Sequence, residues 1–210
     1  NRCMELTRLR ARTEVYRLLS RAYGRPGEGC IAKLREDLRQ ALLSLGLEHL
    51  ANNVREMGDG DIDALEVALE HTRLFLGPVK AQAYPYASMY LDGEIMGQST
   101  MDVAAKYRDA GLDVSGTFKD LPDHICAEME FMYCLCMREL DATMAGDQVR
   151  AERESGTARS FLVGHLNRWV PGFTDCVLRH ATTPLYRGLA RITRDFVLQE
   201  STAALLPDPV

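Results

Sequence analysis

The sequence predicts an all-α fold, a bundle of about eight or nine helices in two lobes joined by a hinge loop. Apolar residues recur at steps of three and four along most of the chain, which is the period of one helix face. Glycine and proline interrupt that period where helices end. No stretch alternates apolar and polar residues for long enough to build a sheet. One lobe is expected over residues 1–117, with an aromatic loop at 77–98, and the hinge and second lobe over 118–210; together they form one domain.

The first stripe is Leu6, Leu9, Thr13, Tyr16, Leu19 and Tyr23, ended by Gly24 and Pro26. Ile31, Leu34, Leu38, Leu42 and Leu45 form a second, closed by Gly46. Leu47, Leu50, Val54 and Met57 form a short third, closed by Gly58. Asp63 followed by Glu66 is a capping box, and its helix runs to Phe75 before Gly77 and Pro78 stop it. The run to Gly97 has no helical period; a tiny hairpin about Asp92-Gly93 is its one strand-like option. Ser99 with Asp102 is expected to cap a helix through Tyr107 to Gly111.

A second irregular segment, LDVSGTFKDLPD, leads into a long helix over 123–145 with the stripe Ile125, Met129, Met132, Leu135 or Cys136, and Leu140. Asp147 opens a helix carrying Ala158, Phe161, Leu162, His165, Leu166 and Trp169, which Pro171 is expected to end. Phe173, Cys176, Val177 and His180 make a short one. Pro184 takes the first position of the last helix, which carries Leu185, Leu189, Ile192 and Phe196. The tail LLPDPV is expected to fray.

The bulk numbers narrow the function. A net charge of −5, with no basic recognition helix, argues against nucleic acid as the partner and against a helical transcription regulator. No apolar run approaches the roughly 20 residues of a membrane span. The six cysteines, Cys3, Cys30, Cys126, Cys134, Cys136 and Cys176, are irregularly spaced without a CxxC, so reduced thiols and a cytoplasmic location are expected. The first residues, NRCMELTRLRART, alternate charge with leucine and do not read as a signal peptide; without an initiator methionine they are expected to be a trimmed end. No Walker loop, GxGxxG, GxSxG or HExxH occurs, so neither a cofactor nor catalysis is expected.

Three stretches concentrate the chemistry: HTRLFLGP with YPYASMYLDG, then LPDHICAEMEFMY, then LVGHLNRWVPGF. His124 and Glu128 are four apart and share a helix face, the spacing of a metal or acid–base pair and of a metal-dependent enzyme. The plainer reading has Asp120 or Asp123 capping the helix and Glu128 pairing with His124 locally. Cys134 and Cys136 point to opposite helix faces and read as packing residues. His71, His165 and His180 read as satisfied helix histidines. The tyrosines of the 84–93 loop either plug the core or face another chain, because tyrosine has an apolar body and a polar tip.

Taken in order, these stretches resemble the TorD/DmsD family of cytoplasmic redox-enzyme maturation chaperones. HTRLFLGP is similar to that family's leucine-phenylalanine-x-glycine-proline helix end, and YPYASMYLDG to its proline-tyrosine-x-serine-x-tyrosine loop. LPDHICAEMEFMY resembles the hinge signature, and HLNRWVPGF the later tryptophan segment. The resemblance implies an all-helical chaperone, not an enzyme. Its partners would be the twin-arginine leader and the apo form of a molybdopterin oxidoreductase, whose export it delays until the cofactor is in place. It implies a monomer or a hinge-swapped dimer. The leader-binding residues it implies are Leu74, Phe75, Gly77, Pro78, Pro85, Tyr86, Ser88, Tyr90, Asp123, His124 and Glu128. A tryptophan that related chaperones often carry at the start of the aromatic loop is absent here.

On this reading the leader's apolar part docks on tyrosine, proline and methionine, each large anchor contributing roughly 1.5–3 kcal/mol. Its arginines meet Asp123 and Glu128, with Asp92 and Glu94 nearby. A patch of Phe75, Pro85 and Tyr86 is expected to lie open beside the Asp123–His124 turn.

Overall fold

The computed structural model describes residues 2–26, 31–58, 60, 63–77, 80–116 and 118–205. Over them the chain is helical, as its periodicity requires: α1 Arg2–Ala22, α2 Ile31–Ser44, α3 Glu48–Asn53, α4 Ala64–His71, α5 Ala87–Leu91, α6 Gln98–Asp109, α7 Ile125–Ala145, α8 Gln148–Phe161, α9 Asn167–His180 and α10 Pro184–Leu205. A 3-10 turn at Val54–Met57 extends α3, and π turns at Thr72–Leu76 and Leu162–Leu166 extend α4 and join α8 to α9.

The long α7 packs against both α1 and α8, α2 lies on α1, and α9 lies on α10. One apolar cluster collects Val15, Leu19, Leu38, Leu42, Met129, Leu135, Phe161, Val170, Ile192 and Phe196, so it takes side chains from both sides of the expected hinge. Its aromatic part is built on Phe75, whose ring lies 5.1 Å from His71, 5.5 Å from Tyr186 and 6.0 Å from both Tyr23 and Phe173. Buried Glu70 ties α4 to the start of α10. Burial alone would raise its carboxyl, but hydrogen bonds from Thr182 and Thr183 outweigh that and hold it below the usual range.

Four local expectations change. Residues 87–91 form a short helix where no helical period was visible, and no hairpin surrounds Asp92-Gly93 among the described residues. Ser99 is not a cap: Gly97 holds the N-cap position of α6, and Asp92 accepts from the Ser99 N–H at 2.8 Å and its hydroxyl at 2.9 Å. A side chain on Gly97 would occupy the place of that carboxylate. Pro171 does not end a helix but sits inside α9. Its missing N–H removes one rung, and the π turn just upstream already departs from i→i+4 bonding, so the rod continues. His124, not Asp120 or Asp123, caps α7. The frayed tail expected at 205–210 lies, past Leu205, outside the described residues, as does Cys30.

Gly188 lets the 3-10 turn press onto α10: a β-carbon there would stand 2.6 Å from the Met57 backbone nitrogen and 2.8 Å from the Glu56 carbonyl carbon. Gly156, on exposed α8, has open space instead. Helix propensity alone favours alanine over glycine at both sites by about 1 kcal/mol. Chemical denaturation should therefore show Gly156→Ala stabilising by about 0.5–1 kcal/mol and Gly188→Ala destabilising by about 1–3 kcal/mol.

Candidate functional site

The two irregular segments meet at the start of α7. The Ala87 N–H donates to the Asp123 carbonyl at 3.0 Å and the Ile125 N–H to the Pro85 carbonyl at 2.9 Å, which makes Tyr86 and His124 an isolated antiparallel bridge. Side chains complete the clasp. The Asp123 Oδ2 accepts from the Ser88 N–H at 2.9 Å, so it caps α5 from across the junction. The His124 Nδ1 accepts from the Cys126 N–H at 3.0 Å and caps α7. The Tyr107 hydroxyl donates to the Pro122 carbonyl at 2.8 Å and holds the loop down.

Tyr86 is half-buried, its ring edge-on to His124 at 5.3 Å and its hydroxyl donating to Asp120 at 2.7 Å. Phe118 flanks the other side of His124 at 6.1 Å. Because His124 Nδ1 is an acceptor, its proton sits on Nε2, which faces Asp120 Oδ2 at 3.8 Å.

Glu128 lies one turn on, fully buried, and does not pair with His124. One oxygen meets His165 Nε2 at 2.7 Å and the other accepts from the Trp169 Nε1–H at 2.9 Å. Burial raises its carboxyl above the usual range, opposed by the charge of His165 and by the two hydrogen bonds. Trp169 in turn stacks on Tyr90 at 5.8 Å, and His165 on Phe161 at 4.8 Å. The aromatic loop, the start of α7 and α9 are thus joined through one carboxylate.

The eleven expected site residues therefore divide. Leu74, Phe75, Pro85, Ser88, Asp123 and Glu128 are brought close to the clasp or the core beneath it, but all are buried, so the open patch of Phe75 and Pro85 is not there. The cause is the π turn, which drives both Leu74 and Phe75 inward and lets Ala83 N–H bond the Leu74 carbonyl at 2.8 Å. Gly77 turns the chain at φ 62° and Pro78 lies outside the described residues. Tyr86 and Tyr90 are half-buried, and His124 is buried at 9 % exposure. The His124–Glu128 metal or acid–base pair is corrected, because the two side chains serve different partners; among the described residues no group of three His, Cys, Asp or Glu is placed to hold a metal.

What remains open beside the clasp is a recess of about 130 Å³ walled by Leu112, Val114, Phe118, Phe131 and Tyr107, with the carboxylates of Asp113 and Glu130 at its edge. Asp120, two residues beyond Phe118, is exposed and faces His124. These residues were missed in the sequence, although apolar Leu112, Val114 and Phe118 within an otherwise polar loop were a usable signal.

Burial lowers the His124 imidazole, with Asp120 opposing that shift. The unfolded chain then takes up this proton more readily than the folded one, so stability is full above the ordinary histidine value, about 6.5, and falls as the pH drops below it. Glu128 acts in the opposite sense, from the ordinary carboxylate value upward. His124→Asn keeps a capping acceptor without a titrating ring. It should therefore lose about 1 kcal/mol less stability than the native chain between about pH 7.5 and 5.5 in urea titrations. His124→Ala should cost about 1 kcal/mol at neutral pH.

The comparisons agree with this architecture. The family model described as nitrate reductase delta subunit matches residues 31–175. The chain is 24% identical over 159 residues to the chaperone protein TorD of Vibrio cholerae serotype O1, covering 75% of this chain and 71% of that one. It is 26% identical over 204 residues to TorD of Shewanella loihica, covering 89% and 90%. Among solved structures it is similar to a protein described as a redox enzyme maturation protein from Archaeoglobus fulgidus, at 21% identity and a TM-score of 0.57 over 89% of this chain and 93% of that one.

Proposed function

The chain belongs to the nitrate reductase delta subunit family, that of the TorD chaperones of redox-enzyme maturation, and from that premise we propose that it holds the twin-arginine leader of a molybdopterin-dependent oxidoreductase in the cytoplasm. It delays export until the cofactor is inserted. The observation that carries this reading is the Phe118 recess: an apolar floor with Asp113 and Glu130 at its edge, and exposed Asp120 two residues beyond Phe118. A leader has two adjacent arginines followed by an apolar run. An apolar side chain of that run fills the recess while the arginines reach the three carboxylates.

The buried clasp residues serve this function indirectly. Ser88, Asp123, His124 and Glu128 fix the backbone of 118–125, and so the position of Phe118, without touching the leader. Tyr86 is the member of the aromatic loop that borders the face, through its bond to Asp120. Exposed carboxylates and one or two apolar anchors give a contact of about micromolar strength, suited to later release.

Calorimetry with a synthetic peptide of two arginines and an apolar tail tests the reading. Native chain should bind at about micromolar Kd, and Phe118→Ala should weaken it about tenfold. Asp113→Asn with Glu130→Gln should weaken it severalfold and flatten its dependence on salt. Met4→Ala, at an exposed position of α1, should change nothing. Undiminished binding by the Phe118 and carboxylate variants would place the leader elsewhere.

A further inference from the structure

A cavity of about 420 Å³ opens between the end of α1 and the start of α2, over α4 and the start of α10. None of its lining residues borders the Phe118 recess, and the leader reading does not use it. Leu18, Val67, Leu185 and Leu189, all buried, close its floor, and half-buried Ile31 and Leu34 form a wall. Tyr186, the one aromatic residue lining it among the described residues, is 1 % exposed and packs its ring on His71 and Phe75. It therefore offers no face for stacking. No Ser, Thr, Asn or Gln among the described residues lines the space. Whatever enters it meets aliphatic groups almost alone.

The rim has the opposite character. Arg17, Arg21, Arg25 and Lys33 stand on it with one carboxylate, Asp37. Arg17 pairs with Glu14, and Lys33 with Asp37 at 2.8 Å. Arg21 and Arg25, both exposed, make no ion pair with another described residue. On a chain of net charge −5 this is a local excess of cations above an aliphatic cleft. Charge complementarity calls for an anion with an apolar body. Size limits that body. A single turn of α-helix, roughly 10 Å across and about 5.4 Å tall, already takes up this volume, so a peptide helix does not fit within it. Small-ligand sites run from about 300 to 1,000 Å³. The missing stacking face and the missing hydrogen-bonding side chains disfavour a planar, polar ring and favour a plain hydrocarbon chain. We propose that this cavity binds a free medium-chain alkyl carboxylate, its chain on the Leu18, Val67, Leu185 and Leu189 floor and its carboxylate at Arg21 and Arg25.

Calorimetry with hexanoate, octanoate, decanoate and dodecanoate, all below their micelle-forming concentrations, tests it. Binding should saturate at one ligand per chain. Each added methylene should tighten it about threefold to fourfold until the chain outgrows the cavity. Arg21→Gln with Arg25→Gln should weaken decanoate about fivefold to tenfold and leave decanol unchanged. Ala22→Leu, at a half-buried lining position, fills part of the space and should move the best chain length to a shorter acid. Arg159→Gln, at an exposed position outside the cavity, should change nothing. The twin-arginine peptide should neither displace decanoate nor respond to these variants, so this proposal and the leader reading can fail separately. No saturable binding of decanoate at millimolar concentration overturns the proposal, as does an affinity indifferent to chain length or to Ala22→Leu. Decanol binding as tightly as decanoate overturns the role of the arginines. Phosphatidylglycerol vesicles bound while decanoate is ignored, or an acidic peptide displacing decanoate at lower concentration, overturns the assignment to a free carboxylate.

Discussion

Backbone that is neither helix nor sheet cannot satisfy its own hydrogen-bonding groups, and the meeting of residues 85–88 with 123–126 resolves that constraint. Two backbone hydrogen bonds and the Asp123 cap bond the starts of α5 and α7 to each other's flanking residues, while His124 caps α7 locally. Separating the segments would expose both helix starts at once. A helix start carries several N–H groups without internal partners, and burying them unmet is costly. The junction therefore behaves as one unit, and what stands on it, Phe118 and Asp120 above and the Glu128 knot below, inherits its position.

The knot explains why the long rod of α8 and α9 lies where it does. A fully buried carboxylate is tolerated only with partners, and Glu128 has two, both on the rod and four residues apart. Apolar packing alone would permit α9 to slide or rotate by a fraction of a turn. A carboxylate that must meet one ring nitrogen at 2.7 Å and another at 2.9 Å does not. The π turn at Leu162–Leu166 fits this demand: it shifts the helix register by one residue between Phe161, which packs on Phe131 at 4.9 Å, and Trp169, which reaches Glu128 and Tyr90.

The helices were legible in the sequence because burial imposes a period, and Asp63, Gly46, Gly58 and Pro184 marked their ends by local chemistry. The failures share a cause, which is that the deciding partner is distant along the chain. Asp92 reaches seven residues forward to serve α6, so Ser99 looked like the cap it is not. Glu128 meets residues 37 and 41 positions away, while sequence spacing suggested His124 at four. Histidine is not a usual capping residue, so Asp120 and Asp123 drew attention away from it. The tyrosine loop was ambiguous in principle, since one side chain type serves both environments. Tyr90 went inward to stack on Trp169, and Tyr86 stayed at the boundary with its hydroxyl on Asp120.

The same division bears on how a chaperone's receiving face is built. A face that must take up a partner and give it back cannot also carry the interactions that hold the domain together, because each departure of the partner would then weaken the fold. Here the motif residues that look most like a binding site are those the core uses, Phe75 among four aromatic neighbours and Asp123 and Glu128 at their fixed bonds. The residues proposed for a partner are plainer: loop apolar side chains and exposed carboxylates at 112–130, anchored at one end by the clasp and at the other by α6. Rigid support beneath a modest contact surface lowers the ordering cost of binding without strengthening the contact itself. Affinity can then stay low enough for release while the position of the face stays fixed.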